Sequence, residues 1–203
     1  MYFTQKFGLV ITCLALTGMA SPVHSSSIRA QPDTGNPNIF VQPTMYQVFP
    51  FEASKAAPTV SQLEVLRTDD TSALENIAVF EGIPADAKTC VLGWVQAAKD
   101  ERTDFVVKGN GLLAAQQLSR LPDGDVSWET ITPIAEEAVE QGRPLLHPDT
   151  TSWPDIETAE SHIAGYVDCA ETIYLKIQVD DRDHDGSVYL GQDAKNGLTL
   201  TVH

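Results

Sequence analysis

Basic residues are scarce in this chain. It has 13 Lys and Arg against 28 Asp and Glu in 203 residues, for a formal net charge of −15 at pH 7. Such an acidic surface repels the phosphate backbone of nucleic acids and the headgroups of anionic lipids. We therefore expect no nucleic-acid partner, and no membrane partner once the N-terminal leader described below has been removed.

The sequence motifs of common catalytic and zinc sites are missing as well. The chain contains no GxSxG, HExxH or CxxC motif, so neither a nucleophile elbow nor a zinc site is predicted. Adjacent acids such as Glu136 and Glu137 suit the two-carboxylate chemistry of glycoside hydrolysis, but among 28 acids adjacent pairs also arise by chance. We expect a protein that is not an enzyme, with a polysaccharide-acting hydrolase as an alternative.

Residues 1–20 have the layout of a secretory signal peptide. Lys6 precedes an apolar run that ends at Ala20, and small residues allow cleavage after Ala20 or as late as Ser25. The run is too short for a membrane span, which needs about 20 apolar residues. Residues 21–38 are rich in Ser, Pro and Asn and predict a flexible N-terminal arm. We expect a secreted, extracellular protein with a single domain over residues 39–203.

Cysteine is rare, and the predicted secretion determines whether the remaining cysteines are expected to be oxidised. Of the three cysteines, Cys13 lies in the leader, which leaves Cys90 and Cys169 in an oxidising compartment that favours a disulfide. Two buried free thiols are the alternative. A bridge closing a loop of about 80 residues contributes roughly 4 kcal/mol in the chain-entropy model, and we expect it to staple two stacked sheets together.

Short alternating segments dominate the rest of the chain. In residues 172–179 the apolar side chains recur at every second position, which is typical of a strand with one buried face. Similar segments recur from residue 39 onward, separated by turn residues, with a break at Pro43 that suits an edge strand. These patterns predict an all-β, antiparallel β-sandwich or jelly-roll-like fold, with three consecutive antiparallel strands after residue 171.

At most one or two short helices are expected. The clearest candidate starts at Thr132, a fair N-cap, with Pro133 at the first helical position. Glu136 and Glu137 favour the positive end of such a helix, and Gly142 could terminate it.

Three stretches together resemble a known family. They are residues 74–94, 168–177 and 186–202, which contain an aliphatic strand, a Gly-Ile-Pro turn, two separated cysteines and a closing hairpin. They are similar to the fungal secreted proteins that carry the "ubiquitin 3 binding protein But2 C-terminal" domain. The positions that fit this pattern are Gly82, Ile83, Pro84, Cys90, Cys169, Gln192, Asp193, Gly197 and Leu198. The resemblance implies a single secreted β-sandwich and brings no catalytic residues with it.

The segment Asp181–Val188 matches the first eight positions of a calcium-binding loop. Acids alternate at its first, third and fifth positions, and Gly186 at the sixth allows a sharp turn. The predicted oxygen ligands are the carboxylates of Asp181, Asp183 and Asp185 and the carbonyl of Ser187. The bidentate Glu expected at the twelfth position is replaced by Gln192, which predicts weak Ca²⁺ affinity. The alternative is a solvated acidic turn.

Two tryptophans are candidate ligand-binding residues. Trp128 and Trp153 lie in loop-like sequence, where an aromatic ring could stack on a sugar. Trp94 shares a strand face with Cys90 and Leu92 and is expected in the core. The leading hypothesis is a secreted, non-enzymatic β-sandwich acting at the cell surface, cell wall or host interface on a cell-wall glycan or an extracellular protein. The alternative is a carbohydrate-binding module, with or without calcium.

Overall fold

Short amphipathic segments pair into two antiparallel sheets in the computed structural model, which describes residues 39–182 and 184–203. The strands within these residues are β1 (Ile39–Val41), β2 (Thr44–Val48), β3 (Thr59–Val60), β4 (Gln62–Thr68), β5 (Thr71–Glu81), β6 (Cys90–Gln96), β7 (Phe105–Gly109), β8 (Leu113–Leu118), β9 (Leu145–Leu146), β10 (Glu160–Val167), β11 (Thr172–Val179), β12 (Gly186–Gly191) and β13 (Gly197–Val202). The α-helix α1 (Trp128–Glu140) follows β8, and single 3-10 turns form at Pro50–Glu52 and Trp153–Asp155. The predicted all-β sandwich is confirmed.

The smaller sheet has the order β1-β13-β6-β10, and the larger one has the order β7-β12-β4-β5-β11-β8-β9. Strand β2 pairs with β5 and with the short β3. Pro43 separates β1 from β2, and these two strands join different sheets, with β1 at an edge as the proline predicts.

The main core lies between the two sheets. Strand β6 turns Cys90, Leu92 and Trp94 into it, as the alternation predicts. From the larger sheet, β11 contributes its predicted apolar row, which consists of Ile173, Leu175, Ile177 and Val179. The opposite row of β11 points to the outer face of that sheet, where α1 packs over Leu118, Val79 and Val48 to form a second, smaller cluster.

The pairing predicted after residue 171 is wrong. Strands β11, β12 and β13 form, but none pairs with the next. Strand β11 lies between β5 and β8, β12 lies between β4 and β7, and β13 crosses to the smaller sheet between β1 and β6. A turn sequence determines only where the chain reverses. Which strand pairs with which depends on how distant strands pack to complete each hydrophobic layer.

The predicted helix forms, but it begins earlier than expected. Ser127 is the N-cap, and its side chain forms a reciprocal capping box with Thr130. Pro133 consequently lies inside the helix, where it leaves the carbonyl of the exposed Glu129 without its usual donor. The helix ends just before Gly142, which has a φ of 66°. No helix within the described residues is long and apolar enough to cross a membrane.

The disulfide between Cys90 and Cys169 is confirmed, with Cα atoms 5.4 Å apart. The bridge does not join a strand of one sheet to a strand of the other, which corrects the expectation that it staples the two stacked sheets together. Cys169 lies in the connection between β10 and β11, so the bridge fastens the crossover from one sheet to the other onto β6. The Gln117 amide holds the same connection, because it both donates to and accepts from the backbone of Asp168 at 2.8 Å.

The predicted signal peptide (residues 1–20, or up to 25), the predicted arm (residues 21–38) and Asp183 lie outside the described residues. These assignments stay predictions.

Candidate functional site

The buried carboxylate of Asp180 lies immediately after β11. The outward row of that strand, Tyr174, Lys176 and Gln178, continues in register to Asp180, whose side chain is only 1% exposed. Arg182 donates to this carboxylate through Nε at 3.0 and 3.1 Å and through Nη2 at 2.7 Å. Nδ1 of His147 lies 2.6 Å from Oδ2 of Asp180. Two neighbours in the turn after β11, Asp180 and Arg182, thus form one hydrogen-bonded group with His147, which lies 33 positions earlier in the chain.

These contacts fix the charge state of Asp180. The pKa of this carboxyl is lowered from 3.8 to about 2, chiefly by the hydrogen bonds from the Arg182 side chain and against the opposing effect of burial. The backbone N–H of Arg182 and the His147 ring contribute to the same lowering, since each favours the ionised form. Asp180 is therefore a permanent anion at neutral pH.

The Asp180 group closes one end of a cleft between α1 and the outer face of the larger sheet. The cavity has a volume of about 450 Å³. Its lining combines one tryptophan, small apolar residues, amides and charged side chains: Ala114, Gln116, Trp128, Thr132, Ala135, Glu136, Val139, Leu145, His147, Lys176, Gln178, Asp180, Asp181 and Arg182. We refer to it as the helix–sheet cleft.

The floor of the helix–sheet cleft is polar and held in place. Lys176 is mostly buried and lies 2.9 Å from the buried carboxylate of Glu75. It also donates to Oε1 of Gln178 at 2.7 Å. Gln116 on the adjacent strand donates to the carbonyls of Arg143 and Pro144 at 3.3 and 3.2 Å. Because these side chains are fixed by neighbours, the floor is a preorganised set of hydrogen-bonding groups.

Trp128 forms part of this cleft. The structure places it at the first position of α1 rather than in a loop, because Ser127 caps the helix just before it. Its ring is half-buried against the smaller hydrophobic cluster, and its Nε1 atom is buried without a hydrogen-bond partner among the described residues. Trp128 is one of the residues that line the cleft, which fits the predicted ligand-binding role.

Trp153 has a different environment. Its ring packs edge-on against Trp94, with centroids 5.1 Å apart, and against His162 at 4.8 Å. Burial in this group lowers the pKa of His162, although Asp149 acts in the opposite direction. Trp153 borders the main core, and its contacts support a packing role. Its assignment as a ligand-binding residue stays a prediction without support from these contacts.

Of the predicted calcium residues, Asp181, Asp185 and Ser187 lie in different environments. The carboxylate of Asp185 accepts the backbone N–H groups of Asp69 and Asp70, at 2.8 and 3.0 Å, and so holds the β4–β5 turn. Asp181 is exposed at the cleft, and Ser187 lies within β12. Among residues 39–182 and 184–203, no three His, Cys, Asp or Glu side chains are grouped to hold a metal ion. Because Asp183 is outside these ranges, calcium binding stays a prediction.

A larger depression of about 890 Å³ lies at one end of the smaller sheet. Half of its lining is small and apolar (four alanines and Val95), and Gln42, Gln96 and Thr199 supply neutral polar groups. Its ionisable groups, Glu101 and Lys195, are 3.5 Å apart and exposed. We place the candidate site in the smaller helix–sheet cleft, since that cavity holds the aromatic ring and the buried, oriented charges.

No protein-family model and no curated protein matches this chain. The resemblance to the But2 C-terminal domain therefore stays an expectation. Sequence reasoning identified Trp128 but missed Asp180, His147 and Arg182. The signal for Asp180 was present, because the polar row of β11 extends to it; nothing in the local sequence marks His147, which comes from a loop 33 positions earlier.

Proposed function

We propose that this protein is a secreted, non-enzymatic β-sandwich that binds a short glycan in the helix–sheet cleft and acts at the cell surface, cell wall or host interface. The observation that carries the proposal is the placement of Trp128 beside a row of fixed polar side chains in a cavity of about 450 Å³. The disulfide adds support for an extracellular location, because such bonds persist in oxidising compartments.

Sugars suit this combination of groups. A pyranose ring has an apolar face of C–H groups, which packs on an aromatic ring, and an edge of hydroxyls, which both donate and accept hydrogen bonds. In the helix–sheet cleft, the ring of Trp128 supplies the apolar surface, and the side chains of Gln178 and Glu136 supply polar partners. The floor is already ordered by its own contacts, so little side-chain entropy is lost on binding.

The charge state of Asp180 supports binding rather than proton transfer. A general acid for glycoside hydrolysis needs a raised pKa so that it holds its proton near neutral pH. Asp180 has the opposite property, with a pKa of about 2. Its oxygens are also engaged by Arg182 and His147.

Calorimetric titration with soluble oligosaccharides of glucan, mannan, xylan and chitin tests the proposal. We expect at least one series to bind, and Trp128→Ala to weaken that binding about tenfold or more, as stacking contacts of this kind do. Tyr166→Ala is the matched control, because Tyr166 is an exposed aromatic residue of the other sheet. Failure of every oligosaccharide to bind, or unchanged binding by Trp128→Ala, would overturn the proposal. Release of new reducing ends on prolonged incubation would instead favour the hydrolase alternative.

The calcium-assisted alternative has a separate test. If the 181–187 segment binds Ca²⁺, millimolar calcium should raise the melting temperature relative to chelator, because a ligand of the native state stabilises it. Asp183→Asn should abolish that rise. An identical melting temperature with calcium and with chelator removes calcium from the proposal.

A further inference from the structure

The charges of the helix–sheet cleft are only partly matched within the protein. Lys176 is paired with Glu75 at 2.9 Å. Arg182 directs its guanidinium hydrogen bonds to Asp180, which also contacts His147. These two groups neutralise their own charges and form the floor and one end of the cavity.

Two carboxylates are left over. Glu136 projects from α1 on one side of the cleft, and Asp181 belongs to the turn after β11 on the other. Neither has a salt-bridge partner among the described residues, although the charge of Asp181 also acts on Arg182. Counted over its carboxylates and its Lys and Arg side chains, the cavity lining together with Glu75 has four negative and two positive charges, an excess of two negative charges.

We infer that the glycan bound in this cleft is an amine-bearing, positively charged saccharide of the glucosamine type, rather than a neutral sugar or a uronate. The inference rests on the proposed function. A ligand ammonium group placed between α1 and the turn after β11 is attracted by the carboxylates of Glu136 and Asp181. A uronate carboxylate in the same place is repelled by them. The net charge of −15 acts in the same direction at longer range, since it attracts cations to the surface.

The expected preference is moderate. Glu136 and Asp181 are exposed, and exposed charge pairs are weakened by water and by salt. We expect each to contribute a factor of about two to five to affinity at low ionic strength, so that together they favour an ammonium sugar about tenfold over its neutral, N-acetylated counterpart. Most of this preference should disappear at high salt.

Titration with matched tetrasaccharides tests the inference: glucosamine, N-acetylglucosamine and galacturonate oligomers at about pH 6 in about 20 mM and about 200 mM salt. The double variant Glu136→Gln, Asp181→Asn should bind the glucosamine oligomer no better than the acetylated one. The control Asp86→Asn, Asp123→Asn changes the net charge equally at exposed sites outside the cleft, and it should keep the preference. Melting curves establish that both variants are folded.

The outcomes separate the inference from the proposed function. Equal or tighter binding of the neutral oligomer, sensitive to Trp128→Ala, overturns the amine preference and leaves glycan binding in place. A preference that survives in Glu136→Gln, Asp181→Asn but falls in the control shows that it arises from overall charge, and it overturns the inference. If no oligomer binds, both ideas fail.

Discussion

Replacement of Asp180 by Asn isolates the contribution of one buried charge to stability. A carboxylate whose pKa falls from 3.8 to about 2 on folding contributes about 2 kcal/mol at neutral pH. Solvent screens part of this, because the partner Arg182 side chain is 57% exposed. We expect Asp180→Asn to lower the free energy of unfolding by about 1–2 kcal/mol at pH 7.

The pH dependence provides the decisive measurement. Since folding depresses the pKa of Asp180, its contribution is complete above the unfolded value of 3.8 and is lost as the pH falls through about 2. In urea unfolding, the difference between the wild type and Asp180→Asn should be constant from pH 7 to about pH 5 and shrink towards pH 2. Asp123→Asn, at an exposed acid, should show no such difference. A gap that stays the same down to pH 2 would refute the electrostatic explanation and indicate a steric one.

Three further changes test the disulfide, the close approach of β6 to β10 and the N-cap of α1. Replacing Cys90 and Cys169 by Ser should cost about 4 kcal/mol of unfolding free energy, and equal stability of oxidised wild type and variant would contradict this. Gly93→Ala places a Cβ atom 2.2 Å from the carbonyl oxygen of His162 on β10. It should lower the free energy of unfolding by about 2 kcal/mol or more. An unchanged melting temperature would show that β6 and β10 lie further apart than the structure places them. Ser127→Ala removes the N-cap of α1 and should cost about 1 kcal/mol in denaturant unfolding, whereas Ser127→Thr should retain most of the stability.

Strand positions were predictable because burial in a sandwich alternates locally. The apolar rows of β6 and β11 are visible in the sequence and are the rows that fill the core. Strand partners were not predictable in the same way. Strand β13 pairs with β1, from the opposite end of the described chain, and a local pattern of alternation carries no information about which distant strand completes the layer.

In the helix and in the candidate site, too, some features were predictable from local sequence and others were not. Thr132 and Pro133 have the chemistry of a helix start, but Ser127 and Thr130 satisfy two backbone donors at once and move the start upstream. At the site, Trp128 could be singled out by residue type. The contact between Asp180 and Arg182 is local, but His147 joins them only when its loop packs across the end of β11, so the complete group depends on tertiary structure.

The position of β13 has a consequence for how the chain acquires its structure. Ile39 at the start of the described chain lies opposite Val202, and β13 separates β1 from β6 in the smaller sheet. Strands β6 and β10 can pair without it, but β1 cannot join that sheet during synthesis until residue 202 has emerged. A nascent chain without β13 leaves one hydrogen-bonding edge of β6 and the pairing edge of β1 unsatisfied, so these edges stay open to other strands until the last residues arrive.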